Sequence, residues 1–167
     1  MDSRIEAFIR WAQSTGWKVD ISEVDLALPP VLTSRYESLP ESYVQFLQRV
    51  ALLIAPDERA WFNCVPNFAG TLKVAFAWNE WEQMSLASAL TDEQRGQIRS
   101  FWDRHLPVFM SVRDDYEYYA IDLTSRSVVY GYKDFFEEPS EVAASFTDFL
   151  DLTQAGKIRQ VGPLKTS

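Results

Sequence analysis

This sequence holds one cysteine, one histidine and six glycines among its 167 residues. A single thiol, Cys64, excludes an internal disulfide and a thiolate metal site, so nothing indicates an oxidising compartment or a zinc fold. The lone histidine, His105, leaves no histidine cluster for a metal, and near a helix end it reads as a partner for terminal carbonyls rather than as a base. Long hydrophobic runs are missing too: the longest, VALLIA at 50–55, falls far short of the roughly 18 to 20 residues that span a bilayer. The opening MDSRIEAFIRWAQ sets Asp2, Arg4, Glu6 and Arg10 among its apolar residues, unlike the uninterrupted apolar stretch of a signal peptide. A soluble, cytoplasmic protein is the expectation. Clustered bases are also absent. The 16 Lys and Arg are scattered against 24 Asp and Glu, for a net charge of -8, which argues against direct binding of nucleic acid. No P-loop, GxGxxG, HExxH or EF-hand loop is present, and no cofactor or metal is expected.

What is there suits a folded domain. With 47% hydrophobic and 14% aromatic residues, a chain of this length buries roughly 70% of the surface that its extended form exposes. No repeat, low-complexity tract or linker divides it, so residues 1–167 are expected to form one domain. The acids are unevenly placed. Between Asp114 and Asp151 stand Asp114, Asp115, Glu117, Asp122, Asp134, Glu137, Glu138, Glu141, Asp148 and Asp151 against only Arg126 and Lys133, a net of -8 that equals the charge of the whole chain.

Apolar spacing predicts a first helix from about Ser3 to Thr15, with Ile5, Phe8, Ile9 and Ala12 as its stripe. Residues 17–39 read as an irregular connector in which Pro29-Pro30 forbids helix. A second helix is predicted from Pro40, with Tyr43, Phe46, Leu47 and Val50 on its face. WFNCVP and LKVAFAW, between Trp61 and Trp78, read as two strands, and EWEQMSLASAL as a short helix. Thr91-Asp92-Glu93-Gln94 has the pattern of a capping box and opens a further helix with Ile98, Phe101, Trp102 and His105 on one face, ended by Pro107. PVFMSV alternates as a strand with one buried side. YEYYAIDL and SVVYGYK, joined through Thr124-Ser125-Arg126, form an antiparallel hairpin. The last helix is predicted from Ser140 to Gln154, with Ser140 as its N-cap, Val142, Phe146, Phe149 and Leu150 buried, and Gly156 as its end.

Three of these segments, in order, resemble the SMI1/KNR4 superfamily, also called SUKH. LPESYVQFL (Leu39 to Leu47) is similar to its leucine-proline, tyrosine and phenylalanine-leucine helix, YYAIDL (Tyr118 to Leu123) to its central aromatic strand, and ASFTDFL (Ala144 to Leu150) to its closing helix. The similarity spans about residues 36–152. The chain departs from the family where an Asn-Gly commonly follows the first motif, here ALLIAPDE, and where a Gly-Gly-Asp commonly precedes the aromatic strand, here Arg113-Asp114-Asp115-Tyr116. The resemblance implies an α+β fold, a mainly antiparallel sheet packed by helices, and no enzymatic activity. Many bacterial members resemble immunity proteins that neutralise toxins, often nucleases, while fungal relatives act as regulatory interaction modules.

The expected partner is therefore a protein, most readily a basic toxin domain. An acidic surface would steer such a partner into place. Asp114, Asp115, Glu117, Glu137, Glu138 and Glu141 are the candidate contacts; the bland alternative is solvated faces, with the last three near the positive end of the final helix. Tyr116, Tyr118, Tyr130 and Tyr132 would add a tyrosine ladder on the sheet face opposite the helices, although cross-strand aromatic pairs also simply stabilise sheets. Asp122 reads as a turn acceptor, and Trp78 and Trp81 as half-buried core. A regulatory module with an endogenous partner is the alternative function and a small hydrolase a weaker one, since no motif links Cys64 to His105 and any choice among 24 acids would be arbitrary.

Overall fold

Among the described residues seven strands form one antiparallel sheet whose order in space is their order in sequence: β1 (Lys18–Ile21), β2 (Val50–Ile54), β3 (Ala60–Phe62), β4 (His105–Ser111), β5 (Glu117–Asp122), β6 (Val128–Tyr132) and β7 (Ser140–Ala143). The computed structural model describes residues 1–159. Helices α1 (Ser3–Ser14), α2 (Pro30–Arg35), α3 (Glu41–Arg49), α4 (Val65–Ala69) and α7 (Phe146–Gln154) supply one apolar cluster with Phe62, Phe109, Tyr119, Ile121 and Val128 of the sheet. Helices α5 (Glu80–Ser88) and α6 (Asp92–Arg104) build a second cluster on the other face, where Trp81, Phe101 and Trp102 meet Met110, Tyr118, Ala120 and Val129. This is the expected α+β class. Helices on both faces also explain why β4 is buried at every position, where alternation had predicted a single buried side.

The caps of α1 and α6 follow from local chemistry. Asp2 accepts the Arg4 amide at 2.7 Å, and Thr91 and Gln94 close the capping box, the Gln94 amide donating to Thr91 Oγ1 at 3.1 Å. Each satisfies amides that have no partner within their own helix. The short helix expected at EWEQMSLASAL is α5.

Several expectations are corrected. Residues 17–39 are not wholly irregular: β1 lies there, and Pro30 starts α2, because proline loses no hydrogen bond in a helix's first turn. Arg35 at the end of α2 then grips the buried Glu82 of α5 with both terminal nitrogens, at 2.7 and 2.8 Å. At Val50 the chain leaves α3 and enters β2, so all of VALLIA but its last residue is a strand of the sheet. Between Trp61 and Trp78 only Ala60–Phe62 is strand; Val65–Ala69 is helical and the LKVAFAW stretch is neither. The α6 helix stops at Arg104, before Pro107, which sits inside β4. A proline is tolerated there because the β4–β5 register shifts between Pro107 and Phe109, a bulge that removes the need for its missing N–H. The last helix begins at Phe146 and is capped by Ser145, whose hydroxyl accepts the Asp148 amide at 3.1 Å. Ser140–Ala143 pairs with β6 instead, since strand pairing satisfies more backbone groups than an early helical turn would.

Candidate partner-binding surface

Strands β5 and β6 set the geometry. Their register pairs Glu117 with Tyr132, Tyr118 with Gly131 and Tyr119 with Tyr130. Side chains alternate along a strand, so Glu117, Tyr119, Tyr130 and Tyr132 share the face covered by α7, while Tyr118 points to α5 and α6. The predicted four-tyrosine ladder therefore does not form. Tyr118 is fully buried, its ring 4.9 Å from that of Trp102 and its hydroxyl donating to the Phe136 carbonyl. Tyr116 stacks on Trp81 at 4.8 Å, on the same side as Tyr118. Gly131 lets Tyr118 lie flat on its partner strand: a Cβ at that position would sit 2.5 Å from the tyrosine ring.

The candidate acids divide. Glu117 is buried, 2% exposed, and its Oε1 accepts the Tyr130 hydroxyl at 2.8 Å and Arg159 Nε at 3.4 Å. Glu137 is half-buried; its Oε2 accepts Ser85 Oγ at 2.9 Å and Trp102 Nε1 at 3.0 Å, and burial holds its carboxyl above the usual range. Neither stands free at the surface: each is held by hydrogen bonds within the fold. Asp114 pairs with Arg159 at 3.7 Å, and Asp115 accepts the amide of its neighbour Tyr116. Glu138 is exposed beside the turn in which its amide meets the Phe135 carbonyl at 3.0 Å. Glu141 is exposed farther along β7, in a shallow groove with Asp148 and Asp151, both of which Arg4 of α1 binds.

One end of the sheet nevertheless gathers a surface. The Lys133 amide donates to the Tyr116 carbonyl at 3.0 Å and its ammonium lies over the Tyr116 ring at 5.4 Å, joining the β4–β5 loop to the β6–β7 connector. There Tyr132 and Phe135 are 42% and 52% exposed and meet edge to face at 5.8 Å. Exposed Asp134 and Glu138 stand on the same connector, the Glu138 amide donating to the Phe135 carbonyl, and exposed Asp115 lies in the β4–β5 loop that Lys133 joins to it. A cavity of about 650 Å³ opens beside the connector, between α5 and α6, with Met84, Ile98 and Phe136 in its wall and Lys133, Asp134 and Glu137 at its polar side. Phe135 was not singled out from the sequence, and Asp134 was counted there among the acids but not among the candidate contacts. The available signal was the pair Phe135-Phe136 set between acids in a connector, where neighbouring rings can face opposite ways.

The groups considered for catalysis are built into the core. Cys64 is fully buried and burial pushes its thiol far up, so little thiolate forms. His105 donates Nδ1–H to the Phe101 carbonyl at 2.7 Å, with Asp122 Oδ2 at 3.5 Å from Nε2, and burial draws its pKa below the ordinary value. It meets a helix carbonyl, as its place at the end of α6 suggested. Trp78 and Trp81 are more deeply buried than expected, at 9% and 1%. Among the described residues no group of three or more His, Cys, Asp or Glu is placed to hold a metal ion, and no helix is long and apolar enough to cross a membrane.

No curated protein and no solved structure matches the chain. The SMI1 / KNR4 family model (SUKH-1), by contrast, matches residues 35–152, a span that takes in α3, the β5–β6 hairpin and most of α7, the three segments on which the resemblance first rested. The chain belongs to the SMI1 / KNR4 family (SUKH-1).

Proposed function

We propose that this chain is a protein-binding domain that works without catalysis, and that it neutralises a basic toxin, such as a nuclease, by occupying its substrate groove in the cytoplasm. The observation that carries the reading is the exposed Tyr132–Phe135 pair, with exposed Asp134 and Glu138 on the same connector and exposed Asp115 on the adjoining loop. Large aromatic side chains are the usual anchors of protein interfaces, and a polar rim around them excludes water. Acids in that rim would draw in a partner whose groove is basic because it binds phosphates. The family and the chain's net charge of -8 support the same reading.

Replacing Asp115, Asp134 and Glu138 together by lysine tests it. Association with the co-purifying partner, measured by stopped flow at two salt concentrations, should slow by about tenfold or more at low salt and lose most of its salt dependence. An unchanged rate removes this surface from the mechanism.

A further inference from the structure

Glu117 is a deeply buried carboxylate whose hydrogen bonding is incomplete. Its Oε1 takes two donors, Tyr130 and Arg159, while Oε2 is buried and accepts none. A buried carboxylate is ordinarily tolerated only where a cation and donors satisfy both oxygens. The one cation within 4.0 Å of it among the described residues is Arg159, and that guanidinium is split, with Nε toward Glu117 at 3.4 Å and Nη2 toward Asp114 at 3.7 Å. It does not make the two parallel bonds of which a guanidinium and a carboxylate are capable. Depth differs as well: the Arg159 side chain is 61% exposed and that of Glu117 only 3%. A guanidinium that bonded both oxygens would satisfy the carboxylate more fully than the one present.

Arg159 comes from the segment after α7, held by the buried Ile158 and by the Tyr119 hydroxyl, which donates to the Arg159 carbonyl. The Glu117 charge raises the pKa of Arg159 further, as expected of a guanidinium whose main partner is this carboxylate. The same spot borders the aromatic surface, because Glu117 pairs across the strands with Tyr132, and the Tyr130 and Tyr132 rings are 5.9 Å apart.

We propose that Glu117, Tyr130 and Asp114 form an arginine-recognition cradle, filled in the free protein by the chain's own Arg159, and that an arginine side chain of the basic partner takes its place on binding. This rests on the partner-binding reading above and names the side chain that the partner inserts. Arginine fits where lysine does not, because a planar fork reaches both oxygens of one carboxylate and lies against tyrosine rings, whereas an ammonium is a point donor. Exchange of one guanidinium for another also keeps the buried charge paired.

The test uses the full chain with acetyl-arginine methylamide as the probe, followed through the NMR signals of the Tyr130 and Tyr132 rings. Arg159→Gln should bind the probe about tenfold more tightly than the unaltered chain if Arg159 fills the cradle about nine-tenths of the time. Acetyl-lysine methylamide should move the same signals far less, and Glu117→Gln should abolish the response. Should Arg159→Gln fail to fold, Arg159→Lys takes its place; should Glu117→Gln fail, Tyr130→Phe does. Equal binding to the unaltered chain and the Arg159 variant, an equal response to the lysine probe, or no response at all would each overturn the cradle. The broader reading is judged separately, by partner binding to variants of Tyr132 and Phe135, so failure of the cradle is distinguishable from failure of the reading on which it rests.

Discussion

The two ends of the β5–β6 hairpin carry similar residues and use them in opposite ways. At one end Asp122 accepts the Thr124 and Ser125 amides at 2.9 and 3.4 Å, His105 approaches its other oxygen, and Arg126 reaches back to the Ser38 carbonyl and hydroxyl. Every charged group there has local work in closing the turn. At the other end Tyr132 and Phe135 stand in solvent, and Asp134 and Glu138 make no side-chain hydrogen bond or ion pair with the described residues. A run of acids in a sequence therefore does not mark a surface by itself. What distinguishes the open end is that its acids and aromatics remain after the fold has taken what it needs.

The largest expected effect on stability comes from the base of the open end. Gly131→Ala should destabilise the protein by about 1 to 3 kcal/mol, read by urea unfolding, because the new methyl meets the Tyr118 ring and the Tyr118 hydroxyl is tied to Phe136. A neutral result would mean that Tyr118 can retreat and that the open end is less firmly supported than its packing implies.

A smaller effect probes the closed end. Folded His105 resists protonation, mainly through burial, while the unfolded chain takes a proton near the ordinary value of about 6.5. Below that pH the unfolded state binds more protons, so stability should fall as pH falls, by at most about 1.4 kcal/mol per pH unit, until the depressed folded value is reached. His105→Asn should remove that part of the slope between about pH 6.5 and 5. An unaltered slope would show that His105 exchanges protons freely and that the closed end is not sealed.

The contrast between the ends also marks how far the sequence could be read. Helix α1, the capping box of α6 and the hairpin itself were legible because each is written in short-range spacing. The start of α7 was not: Ser140 and Ser145 are both acceptable caps, and pairing with β6 decides between them. The tyrosine ladder failed for a similar reason, since strand register is a tertiary outcome and a shift of one residue moves every side chain to the other face. Pro107 misled because a bulge that forgives it leaves no local sign. Of the surface proposed for the partner, the loop at Asp114–Tyr116 and the neighbourhood of Glu138 were named from charge alone. Glu117 and Glu137 could not be recognised as buried, because their partners Arg159 and Trp102 lie 42 and 35 residues away.

Docking of a protein partner at the exposed aromatic end of the hairpin is the proposal on which the rest depends. Its most direct test is affinity purification of the full chain from the cells that produce it, beside a Tyr132→Ala/Phe135→Ala variant shown by circular dichroism to be folded. The unaltered chain should retain one dominant basic protein, and the variant should lose about 2 kcal/mol or more of binding to it, roughly a thirtyfold weakening in a subsequent titration. Undiminished affinity of the variant for that same protein would contradict the account.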